Sequence, residues 1–176
     1  MKKEALLVID MQNIYLPGEK WECGTILSAI DYIDDIIGKF DSKDVFFTEF
    51  VSPKNPVGVW NDYLDKYSDV AYDDYLNDYI DRFKKYLNKD NLYSKSTYSS
   101  MKNIELKNRL DKYDVIYVTG VTCDCCVLAT VYDLIDMGKK VIYCKKGISG
   151  YTKKEEEAVV NSLNGLSPLH VVFKED

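Results

Sequence analysis

Histidine is almost absent from this 176-residue chain, which has His170 and no other. An imidazole-activated nucleophile would have to use that residue, and nothing near it suggests a Ser-His-Asp or Cys-His pair. Zinc chemistry is equally poorly supplied. HExxH is missing, and the cysteines of Cys123–Cys126 have no second cluster at zinc-finger spacing. Glycine and proline are scarce too, at 9 and 4 residues, beside 46% apolar and 30% charged residues. That excludes collagen-like, disordered and linker-dominated chains. A glycine-rich phosphate loop is also missing. No apolar run approaches the ~18 residues needed to cross a bilayer. The run Ala5–Ile9 behind Met1-Lys2-Lys3 is stopped by Asp10, too soon for a signal peptide. Finally there is no basic stripe: 23 Lys+Arg face 29 Asp+Glu, a net charge of −6. Such a surface repels nucleic-acid phosphates and anionic membranes alike, so neither is an expected partner.

What is present fits one compact domain over residues 1–176, given roughly 100–200 residues per domain. Five cysteines are an odd number, and three crowd into Cys123–Cys126. Neighbours that close cannot staple a fold, so a reduced, cytoplasmic setting is expected. Continuous apolar runs at Ala5–Ile9, Val45–Thr48, Val115–Thr119, Val141–Cys144 and Val171–Phe173 read as strands covered on both faces. Between them, Ile26, Ile30, Ile33 and Ile37 repeat at helical spacing, as do Val127, Val131, Leu134 and Ile135. Tyr75, Leu76, Tyr79, Ile80, Phe83, Tyr86 and Leu87 predict one further amphipathic helix over Asp74–Leu87. Phe50–Tyr67, with Pro53, Pro56, Gly58 and Trp60, reads as an ordered excursion near the sheet edge. The alternation predicts a three-layer αβα fold with a mainly parallel central sheet.

In such sheets ligands bind beyond the carboxyl ends of the strands. Asp10 follows the first apolar run, Glu49 the second, and Gly120-Val121-Thr122 with the cysteine cluster follows Val115–Thr119. Cys126 is expected at the start of a helix, where unpaired N–H groups lower a thiol's pKa and hold an oxyanion. Its alternative is a buried structural cysteine, the reading that suits Cys23 and Cys144. Asp10, ending a buried strand, suits base work or a turn cap. Lys95, in Leu92–Ser100 before a helical stretch, would by itself be a surface charge.

Taken in order, Leu7-Val8-Ile9-Asp10-Met11-Gln12-Asn13, Lys95-Ser96-Thr97-Tyr98-Ser99 and Gly120-Val121-Thr122-Cys123-Asp124-Cys125-Cys126-Val127-Leu128-Ala129-Thr130 resemble the isochorismatase-like cysteine hydrolases. The resemblance covers nearly the whole chain. It implies an Asp10–Lys95–Cys126 triad, a cis peptide at Val121–Thr122, and an oxyanion hole from the N–H groups of Thr122 and Cys126. The implied activity is hydrolysis of a small-molecule amide-type C–N bond through a thioester, without cofactor, in a homo-oligomer (dimer or tetramer). The Tyr-rich segment Asp74–Leu87 is a candidate subunit face, and Tyr15, Phe50, Trp60 and Tyr98 are candidate pocket residues. Departures from the family pattern matter. Thr48-Glu49-Phe50-Val51-Ser52-Pro53 carries no D-x-H metal motif as nicotinamidases do, so no metal site is expected. Met101 and Lys146-Gly147 replace an aromatic residue and an aspartate. Isochorismatases proper lack the cysteine and cleave an enol ether. Two other readings stay open: a thiol–disulfide redox protein using Cys123-x-x-Cys126, and a non-catalytic binding domain.

Overall fold

The computed structural model describes residues 2–175. Six strands form one sheet: β1 (Glu4–Ile9), β2 (Val45–Phe50), β3 (Leu92–Lys95), β4 (Val115–Gly120), β5 (Lys140–Ile148) and β6 (Val171–Lys174). Their order is β3-β2-β1-β4-β5-β6 and every neighbouring pair is parallel. The helices are α1 (Ile26–Ile37), α2 (Val59–Lys66), α3 (Ser68–Ala71), α4 (Asp74–Asn77), α5 (Asp81–Lys84), α6 (Ile104–Leu110), α7 (Leu128–Asp136) and α8 (Lys153–Asn164). None is long and apolar enough to cross a membrane, among the described residues.

Side chains alternate across the central strand, as the pleat requires. Leu6 and Val8 of β1 face Ile26, Ile30, Ile33 and Ile36 of α1, while Leu7 and Ile9 face Leu106 and Leu110 of α6 with Val131 and Leu134 of α7. Both faces are therefore covered, which is why β1 and β4 read as unbroken apolar runs. Each fully buried isoleucine on α1 contributes about 1.5–3 kcal/mol. The start of α8 is fixed by a reciprocal cap, with the Thr152 side chain accepting from the Glu155 N–H and Glu155 from the Thr152 N–H.

Three sequence expectations differ from the structure. Lys95 ends a strand, β3, which lacks an apolar run because only two of its four residues are buried. β5 extends to Ile148, beyond the apolar Val141–Cys144. Asp74–Leu87 is not one helix: α4 and α5 are single turns separated by Asp78–Ile80. There Asp78 accepts from the Tyr79 N–H, Tyr79 bridges antiparallel to Gln12, and the Ile80 N–H reaches Met11 O. Local carboxylate bonding and pairing to another segment outcompete helical continuation. Tyr75 is consequently exposed, while Tyr79 and Phe83 enter the core, so no single Tyr-rich helix face exists to cover a second subunit.

The chain runs outward through β1, β2 and β3, then returns to the centre and runs the other way through β4, β5 and β6. The reversal between β1 and β4 leaves a crevice at their carboxyl ends.

Candidate active site

Asp10 is the first residue beyond β1, in the left-handed region (φ 52°), which aspartate tolerates better than most side chains. Its N–H donates to Thr48 O, so the turn is tied to β2. At the end of β4, Gly120 lies so close to β1 that a Cβ there would collide with the Ile9 carbonyl; its φ of 113° also demands glycine. The next N–H, of Val121, donates to Ile9 O at 3.0 Å. The Val121–Thr122 peptide is cis. Cys123–Val127 then forms a single π-turn, closed by the Val127 N–H on Thr122 O, before α7 begins.

These supports bring Asp10, Lys95 and Cys126 together. Lys95 Nζ lies 2.7 Å from Asp10 Oδ2. It donates to Cys126 Sγ at 3.4 Å and to Thr97 O at 2.9 Å. Lys95 thus makes two hydrogen bonds and one ion pair, and Asp10 Oδ2 is left buried with no hydrogen-bond partner of its own. Asp10 Oδ1 accepts from the Thr48 hydroxyl at 2.7 Å. Both charged side chains are essentially inaccessible. Burial acts to lower the Lys95 pKa, but the neighbouring Asp10 and Cys126 outweigh it and hold the ammonium above its ordinary value. Burial pushes the Cys126 thiol well up, Asp10 adds to this, and Lys95 opposes it. Burial thus works against the lowering expected of a helix terminus and is the larger influence on this thiol.

Two further networks hold the geometry. The Thr130 hydroxyl donates to Cys126 O at 2.7 Å and accepts from the Ser100 N–H at 2.9 Å, joining the Cys126 turn to the segment after Lys95. Glu156 Oε1 accepts from the Thr25 hydroxyl and the Gly150 N–H, and Ser149 O in turn accepts from the Cys123 N–H. Gly150 has no room for a Cβ beside the Cys123 sulfur.

Above Cys126 lies a cavity of about 170 Å³. Tyr15, Phe50 and Tyr98 line it as the sequence suggested; Trp60 does not, standing one ring further out against Phe50, Tyr63 and Tyr98. Sequence reading missed Trp21, Tyr63, Tyr67 and Tyr151, which complete its aromatic wall. The Tyr63–Tyr67 spacing of four, one helical turn, was the available signal. Thr122 lines the cavity, whereas Val121 is wholly buried. No cluster of three or more His, Cys, Asp or Glu able to hold a metal occurs among the described residues.

With this geometry in view, the comparison with known families is direct: the Isochorismatase domain matches residues 4–171. The chain belongs to the isochorismatase family. No curated protein matches its sequence. Among solved structures, an isochorismatase-like hydrolase from Alkaliphilus metalliredigens superposes with a TM-score of 0.73 at 20% identity, over 98% of this chain and 93% of the other. The pyrazinamidase of Pyrococcus horikoshii in complex with zinc gives 0.77 at 20% identity over 99% of both. A MAR1 ribonuclease from Caenorhabditis elegans gives 0.68 at 17% identity, over 98% and 77%. Likeness at this identity establishes the shared fold, and one fold carries different chemistries. For this isochorismatase-family chain, activity has to be argued from the site.

Proposed function

We propose that this protein is a cysteine-dependent hydrolase that cleaves an amide-type C–N bond of a small molecule. The observation that carries the reading is one buried ammonium, Lys95 Nζ, touching both the Asp10 carboxylate and the Cys126 sulfur beneath a cavity that Cys126 lines.

Asp10 takes the Cys126 proton while Lys95 stabilises the developing thiolate. Sulfur attacks the carbonyl carbon, and the oxyanion is held by the N–H groups of Thr122 and Cys126. The Thr122 N–H suits this role, since it donates to no group among the described residues. Asp10 passes its proton to the leaving nitrogen, the C–N bond breaks, and a thioester remains. Water then attacks the thioester, Asp10 accepts its proton, and the sulfur departs to regain a proton, releasing a carboxylic acid. The raised thiol makes the base essential, because little thiolate exists without it.

Ammonia release from a panel of small primary amides tests the reading. Cys126→Ala is expected to abolish release by at least about 10⁴-fold, and full turnover by that variant would sink it. The redox alternative gains no support from the site: Cys123 is wholly buried and does not line the cavity, whereas Cys126 does.

A further inference from the structure

We propose that the pocket selects a cationic substrate, an amide whose acyl part carries a quaternary or alkylated ammonium group. The inference rests on the amide-hydrolase reading for the reacting end and on the wall alone for the charged end.

The wall consists largely of aromatic rings. Trp21 meets Tyr67 edge-on with centroids 5.5 Å apart and stands 6.1 Å from Tyr15 and 6.5 Å from Tyr63. Tyr63 and Tyr67 lie 4.8 Å apart. No lysine or arginine side chain lines the cavity. Ring faces carry negative potential, and several of them around a small space attract an ammonium without hydrogen bonds. A substrate carboxylate would find no cationic partner there.

The surrounding charges point the same way. Lys95 and Asp10 compensate one another at 2.7 Å. The Cys126 thiol and the hydroxyls of Tyr15, Tyr63, Tyr98 and Tyr151 are all pushed upward by burial, so none adds charge at neutral pH. Asp124, on the turn of the nucleophile, stands apart. Its Oδ1 is buried without a hydrogen-bond partner, and it directly precedes Cys125, which lines the cavity. Asp124 thus sets a carboxylate on the turn that carries Cys125 and Cys126, both of which line the cavity. Two ammonium groups already lie against Tyr67: Lys66 Nζ at 5.1 Å and Lys20 Nζ at 5.5 Å from the ring centroid, Lys20 being paired with Asp69. Neither lysine lines the cavity.

The test is a matched pair. Glycine betaine amide, (CH₃)₃N⁺CH₂CONH₂, and 3,3-dimethylbutanamide, (CH₃)₃CCH₂CONH₂, share one shape and differ by a charge. Divided by each amide's own hydroxide-catalysed rate, which the α-ammonium raises inductively, the kcat/KM for ammonia release should be at least about tenfold higher for the cation. Asp124→Asn and Trp21→Leu should each move that ratio towards one, and the ratio corrects for any loss of folded enzyme. Hydrolysis of both amides at equal rates on that scale, or of the neutral one preferentially, overturns the cation inference and leaves the hydrolase reading standing. If neither is hydrolysed, calorimetric binding to Cys126→Ala decides. Tighter binding of the cation by about tenfold upholds the pocket inference and counts against amide hydrolysis, whereas equal or no binding overturns the inference.

Discussion

Asp10, Lys95 and Cys126 hang from the ends of β1, β3 and β4, whereas Tyr63 and Tyr67 ride on and just beyond α2, in the long excursion between β2 and β3. The first region is held by sheet ladders and by the buried Thr48, Thr130 and Lys95 bonds. The second touches the sheet through a few latches. Gln12 Nε2 donates to Phe50 O and Asn77 O, Gln12 Oε1 accepts from the Phe50 N–H, and Asn13 Nδ2 donates to Tyr75 O. Further out, Arg82 bonds Asp31 and Asp34 of α1. A reacting centre tolerates little misplacement, and the proposed one sits on the more tightly held of the two regions. A wall of rings reads its ligand through surface and quadrupole, and it can belong to a segment that varies without disturbing the sheet.

Breaking the floor should give the largest effects. Lys95→Met leaves the Asp10 carboxylate buried and unpaired, a loss of about 3–5 kcal/mol in urea unfolding, together with activity. Pairing it with Asp10→Asn should recover much of the stability and none of the turnover. A single variant as stable as wild type would show that the pair is not the buried ion pair described. Next comes Thr130→Val, which strands the buried Ser100 N–H at a cost of about 1–3 kcal/mol and loosens the Cys126 turn. Here kcat should fall more than KM rises, and Thr130→Ser should restore it; a change in KM alone would remove Thr130 from the floor. On the wall side, Gln12→Leu frees Phe50 and Asn77 together. KM should rise severalfold with kcat largely kept, and an equal fall in kcat would mean that floor and wall are one unit.

The same contrast explains what could be seen in the sequence. Strands β1 and β4 are buried on both faces and therefore announce themselves as apolar runs, and the residues just past them, Asp10 and Cys126, were placed by the rule for parallel sheets. β3 is an edge strand of four residues, Leu92-Tyr93-Ser94-Lys95, with too little apolar content to register. By itself Lys95 looked like a surface charge, and only the resemblance to a family singled it out. The wall was hardest to read. Trp21 reaches it from the loop before α1, and the periodicity across Asp74–Leu87 is real in the residues but broken in the backbone by pairing with Gln12. Trp60, near a strand end, reads as a pocket residue, yet its ring packs behind Tyr63 and Tyr98. Side-chain packing between distant segments has no period for a single sequence to show.

The smallest effect concerns the floor's dependence on pH. Lys95 is held above its ordinary 10.5 in the folded state, so its stabilisation is complete below that value and is lost as pH rises through the folded one. The thiols of Cys23, Cys123 and Cys126 are also pushed up from 9.0, Cys123 to about 12. Above pH 9 the unfolded chain ionises thiols that the folded chain keeps neutral, so this contribution also erodes on the alkaline side. Both signs agree: these groups leave stability level through neutrality and make it decline from about pH 9 upward. Cys123→Ala lowers stability at every pH through lost packing, but it should flatten the alkaline slope by up to about 1.4 kcal/mol per pH unit. The wall variant Gln12→Leu should leave that slope unchanged. Urea titrations at closely spaced pH values read slope and level separately. An unchanged slope in Cys123→Ala would mean that this thiol ionises as readily in the folded protein as in the unfolded chain, so that the packing beside Gly150 does not shield it.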